Sequence, residues 1–292
     1  MKQIQENIDI THLSNYKTPA HARFYFEISN MSDVEDVFDI LTWAQKNKKK
    51  VLWISGGTNM LFAFDIFDGL VIKNSLVWWN YDQDTKILET YWSESIWEIA
   101  EILEHDYDQD LWHRFIGLPW SIAGAVYGNA GCFWLETENN FISCEVLDIN
   151  SGQKKILYKD EMNFRYRTSL LKTTKKYFLI SAKFDLSQKV EKYHSDVDNI
   201  DFRENKQPKW NSCGSFFKNP SRDHSAGYLI EQVGLKWEKL WWAYFSSKHA
   251  NFLMHDWDGT YKDLLELMKR AQNRVKEEFN ILLENEVQII TN

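Results

Sequence analysis

The residues whose types and spacing could do chemistry gather first in two glycine-rich segments. Ser55-Gly56-Gly57-Thr58-Asn59 follows the apolar run Val51-Leu52-Trp53-Ile54. A glycine turn after a strand reaches φ > 0 and can converge backbone amides on a phosphate. Taken alone the motif reads more simply as a strand–loop connection, since neither GxGxxG nor GxxxxGK[ST] is present. The second segment, Gly117-Leu118-Pro119-Trp120-Ser121-Ile122-Ala123-Gly124-Ala125-Val126-Tyr127-Gly128-Asn129-Ala130-Gly131, is dominated by small side chains. Main-chain groups of such a stretch can line an extended polar ligand at contact distance, the alternative being a tight packing seam. Two such loops on the N-terminal side of one chain favour a large dinucleotide held by backbone.

The elements that must position these loops are legible in outline. Ser32-Asp33-Val34-Glu35 predicts a capped helix that buries Val34, Val37, Phe38 and Leu41, with Lys48 to Lys50 closing it. Strands are predicted at Val51–Ile54 and Leu70–Lys73, and a helix opens near Ser95 with Glu98 three residues on. The segment from Gly117 to Gly131 fits no ordinary amphipathic element. Strands return at Glu145–Ile149 and Tyr177–Phe184, and the polar residues 187–209 read as a loop joining two domains. Thr260-Tyr261-Lys262-Asp263 opens a long helix with Leu264, Leu267, Met268, Ala271, Val275 and Phe279 on one face. A last strand is predicted at Val287–Ile290. Helices and strands alternate without a repeating βαβ period, which implies an α+β fold.

Composition narrows the class. With 292 residues there is room for one large or two ordinary domains. Lys and Arg number 34 against 42 Asp and Glu, a net charge of −8, which disfavours a nucleic-acid binder. Hydrophobic content of 44% with 26% charged residues is globular. The start, MKQIQENIDI, lacks the basic and apolar regions of a signal peptide, and no apolar run reaches membrane-span length. The three cysteines, Cys132, Cys144 and Cys213, show neither a CxxC pair nor metal spacing. The expectation is a cytoplasmic protein with no metal, no nucleic-acid partner and no membrane insertion.

Further motifs stand in a fixed order along the chain. They are Phe164-Arg165-Tyr166-Arg167-Thr168-Ser169, Arg203 to Pro208, and Cys213-Gly214-Ser215-Phe216-Phe217-Lys218-Asn219-Pro220. Ala226 to Leu235, Lys248-His249-Ala250-Asn251-Phe252 and Leu283-Glu284-Asn285-Glu286-Val287 follow. Together with residues 55–59 and 116–136, this series resembles the UDP-N-acetylenolpyruvoylglucosamine reductase (MurB) family over roughly residues 20–290, in its shorter form. The resemblance implies an FAD-binding PCMH/VAO-type N-terminal region of two α+β subdomains over 18–190. A C-terminal α+β substrate-binding domain over 200–292 completes it. It also implies non-covalent FAD, NADPH as hydride donor, and reduction of UDP-N-acetylglucosamine enolpyruvate to UDP-N-acetylmuramate for peptidoglycan synthesis. Cofactor-binding residues would be Ser55, Gly56, Gly57, Thr58, Asn59, Gly117, Ser121, Gly124, Ala125 and Asn129.

The same resemblance implies the roles at the reacting centre. Arg167 would bind the enolpyruvyl carboxylate through two parallel hydrogen bonds. Ser215 would protonate carbon 2 as the enolate forms, placement making up for its weak acidity. Glu286 would share the charge and hydrogen-bond network around that carboxylate, and Lys206, Lys218 and Asn219 would bind the substrate's anionic groups. Competing readings are another flavin oxidoreductase of the same superfamily, such as a sugar or lactone oxidase, and a non-catalytic flavin-binding paralogue.

One composition figure departs from the ordinary. There are 14 Trp and only 12 Gly, whereas average usage of about 7% would give roughly 20 glycines. Trp120, Trp134, Trp237, Trp241 and Trp242 stand where the family pattern has glycine, and Trp53, Trp112 and Trp210 align similarly. Trp78-Trp79-Asn80 and Trp257-Asp258-Gly259 also read as turns. Some bacterial lineages decode UGA as glycine, and such codons written as tryptophan would produce this distribution.

Overall fold

The first helix begins earlier than its Ser32 signal implies. In the structure, a computed structural model that describes residues 3–188, 199–208, 212–221 and 223–292, it spans Met31–Lys46. Its cap is Asn30, whose side chain accepts from the Asp33 N–H at 3.1 Å, and Asp33 accepts from the Ser29 N–H at 2.8 Å. Ser32 does not cap because its hydroxyl donates to the Asn30 side chain instead. Val34, Val37, Ile40 and Ala44 form the buried face. Phe38, expected there, is 38% exposed and lies over Gly152, whose missing Cβ leaves room for the ring.

The chain forms two units. One comprises Met1–Gln5, Tyr25–Gly56 and Leu70–Ile200; the other comprises Glu6–Phe24, Gly57–Gly69 and Asp201–Asn292. In the first unit the strand Val51–Ile54 pairs in parallel with Leu70–Lys73, so both predicted strands form. A five-stranded antiparallel sheet has the order 154–158, 141–148, 177–185, 87–91, 79–82. Trp79, expected in a turn, belongs to its edge strand and pairs with Thr90. Helix Ile96–Tyr107 starts at Ser95, whose side chain accepts from the Glu98 N–H, as its sequence signal predicts. The small-residue segment contains a short helix, Ile122–Gly128, capped by Ser121. It buries Ile122, Ala123, Ala125 and Val126, and it ends where Asn129 turns left-handed.

The second unit is built around the helix Tyr261–Phe279, which carries the predicted Thr260–Asp263 capping box. Leu264, Leu267, Met268, Ala271 and Val275 pack with Phe216, Phe217, Leu229, Ile230 and Phe245 in one apolar core. Phe279 sits at its edge. Strand Gln288–Ile290 pairs in parallel with Met60–Phe62, and 239–240, 243–245 and 253–255 form an antiparallel sheet. The expected connecting loop at 187–209 holds a helix, Asn199–Lys206, while 189–198 and 209 lie outside the described residues, as does Trp210. Among the described residues no helix is long and apolar enough to cross a membrane.

Candidate active site

In the first unit the two glycine loops are joined by side chains. Ser55 Oγ donates to Ser121 Oγ at 2.9 Å, and Ser121 Oγ accepts from the Gly124 N–H at 3.2 Å. Ser55 also receives, on its carbonyl, the Lys73 ammonium at 2.6 Å. Burial lowers the Lys73 pKa, partly offset by the charge of Glu27. Gly117 has φ +84°, where a Cβ is strained, and Gly124 lies exposed on the short helix. Ala125 is fully buried behind it. The exposed, Cβ-free backbone here suits close approach of a dinucleotide, and the residues fit that group. In the sequence Lys73 shows only as a cation near the end of an apolar strand.

Arg167 occupies a turn closed by reciprocal Arg165–Thr168 backbone bonds of 3.1 and 3.0 Å, with its own φ at +56°. Its Nη2 donates to the Gly131 carbonyl at 3.0 Å, and the guanidinium lies 5.0 Å from the Tyr166 ring centroid. Asn129, expected among the cofactor-binding residues, is fully buried. Its Nδ2 donates to Glu136 Oε2 at 3.1 Å, Glu138 Oε1 at 3.0 Å and the Arg165 carbonyl at 3.3 Å. Its Oδ1 accepts from the Glu138 N–H at 3.1 Å. Burial and the neighbouring Glu138 carboxyl push the Glu136 pKa upward, while Arg167 and Asn129 pull it back.

In the second unit Ser215 and Glu286 come from adjacent backbone segments. Ser215 bridges Phe252, and the carbonyl of the next residue, Phe216, accepts from the N–H groups of Glu286 (2.8 Å) and Val287 (3.2 Å). The Phe216 N–H donates to the Asn251 carbonyl at 2.8 Å. The glycine loop enters the same network, because Gly57, at φ +64°, leads into Asn59. Asn59 Nδ2 donates to the Glu286 carbonyl at 3.1 Å, and the Asn59 carbonyl accepts from the Gln288 N–H at 3.0 Å. Lys218 Nζ pairs with Glu284 at 3.1 Å, and Asn219 Oδ1 accepts from the Ala226 N–H at 3.0 Å. Lys206 ends its helix exposed. Burial pushes the Cys213 thiol up to about 12, so it is no nucleophile.

His249 carries a pH signature. Its Nδ1 accepts from the Asn251 N–H at 3.2 Å, which places the ring proton on Nε2 of a neutral imidazole. Burial lowers its pKa, and Lys236 adds to the effect. A depressed folded pKa means that the unfolded chain binds the proton first. The contribution is therefore present above the ordinary histidine pKa of about 6.5 and is lost as pH falls below it. The urea midpoint is expected to drop between pH 7.5 and 5.5, and less so in His249→Gln. Equal drops in both proteins would count against this origin.

The tryptophans divide by environment. Trp134, Trp237 and Trp241 have φ of +66°, +74° and +56°, and 70%, 72% and 74% of their surface is exposed. Trp120 and Trp242 lie outside the left-handed region. Trp53 packs on Phe178, whereas Trp112 is fully buried between Phe115 and Phe184. Trp257 stands in the predicted turn, closed by the Gly259 N–H to the Asp256 carbonyl.

The fold has a solved counterpart. The crystal structure of UDP-N-acetylenolpyruvylglucosamine reductase from Thermus caldophilus superposes over 100% of both chains with a TM-score of 0.78, at 21% identity. The protein thus has the α+β fold of that reductase. A family model for the UDP-N-acetylenolpyruvoylglucosamine reductase C-terminal domain matches residues 206–290. The reductase of Protochlamydia amoebophila is 31% identical over 294 residues, covering 99% of this chain and 94% of its own. That of Chlamydia muridarum is 31% identical over 288 residues, covering 98% and 94%. The reductase of Fervidobacterium nodosum is 38% identical over 176 residues, covering 59% and 56%. The chain belongs to the UDP-N-acetylenolpyruvoylglucosamine reductase family.

Proposed function

We propose that this protein reduces UDP-N-acetylglucosamine enolpyruvate to UDP-N-acetylmuramate in the cytoplasm, with NADPH as donor and non-covalent FAD, in peptidoglycan precursor synthesis. The observation that carries the reading is the coupling of glycine loop to reacting-centre residues: Asn59 holds the Glu286 backbone, which is itself paired to the residue after Ser215. FAD would be held by Ser55 to Asn59, Gly117, Ser121, Gly124 and Ala125. Bound there, it supplies two-electron transfer between nicotinamide and substrate. Arg167 binds the enolpyruvyl carboxylate, where charge collects on reduction. Ser215 Oγ passes a proton to carbon 2, and Glu286 orients that exchange. Lys206 and Lys218 meet the substrate's anionic groups, Lys218 after leaving Glu284.

The test is a pair of anaerobic half-reactions. NADPH should bleach the flavin absorbance, and the enolpyruvyl substrate should restore it. Protein that stays colourless when FAD is supplied, or flavin that the substrate fails to restore, refutes the reading. Ser121→Ala removes both the helix cap and the Ser55 tie. It should cost about 1 kcal/mol of stability and weaken FAD binding about tenfold, read by flavin fluorescence titration.

A further inference from the structure

Resting on that reading, we propose that Glu136 is a positioning residue for Arg167. The Gly131 carbonyl that receives Arg167 Nη2 belongs to the residue paired with Glu136 in the hairpin of Gly131–Cys132 and Leu135–Glu136. The buried Asn129 amide ties the Glu136 carboxylate to the Arg165 carbonyl, hence to the turn that presents Arg167. A non-glycine residue at φ +56° keeps that conformation only when its surroundings over-determine it. Glu136, through Asn129 and through its pairing with Gly131, supplies that restraint.

A double-mutant cycle in the holoenzyme tests this. Glu136→Ala removes the carboxylate oxygen that accepts from Asn129 Nδ2. NADPH-driven flavin reduction should stay near wild type, while KM for the enolpyruvyl substrate rises about tenfold. In an Arg167→Ala background the same change should add less than twofold. Additive effects, or equal loss in both half-reactions, would overturn the positioning role. Full turnover by Arg167→Ala alone would instead overturn the functional reading beneath it.

A second inference rests on the turns and is independent of the first. Phe133 and Trp134 are the two central residues of a hairpin, both at positive φ, the type I′ pattern that favours glycine at the second position. Trp241 and Trp242 link Lys239–Leu240 to Ala243–Phe245 with positive φ at Trp241 alone, the type II′ pattern with glycine first. Trp237 is the third residue of a turn closed by the Glu238 N–H to the Leu235 carbonyl, with positive φ there, as type II requires. Three turn types each ask for glycine where tryptophan is written, and each indole is mostly exposed. We infer that Trp134, Trp237 and Trp241 are UGA codons that the native cell decodes as glycine.

Peptide mass spectrometry of protein from the native cells decides it. Peptides spanning the three positions should be lighter by the whole indolylmethyl group. In recombinant protein, the triple variant Trp134→Gly, Trp237→Gly, Trp241→Gly should raise the thermal midpoint by several degrees. Native peptides that carry tryptophan, or a triple variant with a lower midpoint, would overturn the inference.

Discussion

Ser215→Ala is expected to leave NADPH-driven flavin reduction within about twofold and to slow the substrate half-reaction by about 10²–10⁴-fold, the usual contribution of a positioned proton donor. The substitution removes one oxygen from a residue whose backbone stays bridged to Phe252, so the local strand pairing survives. On the proposed mechanism, only protonation of carbon 2 needs the hydroxyl. Anaerobic stopped-flow measurement of the two half-reactions separates the effects. Parallel slowing of both would show that Ser215 supports the fold and not the proton transfer.

Arg167→Gly is expected to separate stability from activity. Left-handed backbone costs a side-chain-bearing residue about 1–2 kcal/mol, which glycine does not incur, although glycine loses more conformational freedom on folding. The variant also loses the bond to the Gly131 carbonyl and the Tyr166 contact. Its thermal midpoint should therefore lie close to that of the wild type. Turnover should fall by about 10²-fold or more, since a charged hydrogen-bonded pair is worth about 1.5–3 kcal/mol and two are lost with the fork. Arg167→Lys keeps the charge without the fork, and should recover little of it. A lysine variant with wild-type KM and kcat would show that carboxylate recognition lies elsewhere.

The hydrogen bonding of His249 and the engagement of Asn129 show where sequence patterns stop being informative. Both residues belong to motifs visible in the sequence. What the motif does not contain is the direction in which a side chain spends its hydrogen bonds. Asn129 reads as a ligand-facing amide beside glycines, yet burial and three acceptors turn it inward. Lys218 and Asn219 read as anion-binding residues, and both make bonds within the protein, to Glu284 and to the Ala226 N–H.

Local signals were reliable where one residue's chemistry settles the conformation. Ser95 and Thr260 cap their helices because a hydroxyl three residues from an amide satisfies it wherever the chain goes next. The strands at 51–54 and 70–73 follow from uninterrupted apolar runs, and the long C-terminal helix from its apolar face. The cap falls at Asn30 because the Ser32 hydroxyl bonds to the Asn30 side chain, and Trp79 joins a strand because it pairs with Thr90. The sequence by itself therefore determined the α+β class and the ordered motifs of the family. Tertiary structure alone decided that Asn59 grips the Glu286 backbone across 227 positions of chain, that Ser55 meets Ser121, and that Arg167 stands in a left-handed turn. Contacts between residues so far apart depend on how the chain closes on itself, and no local propensity encodes that.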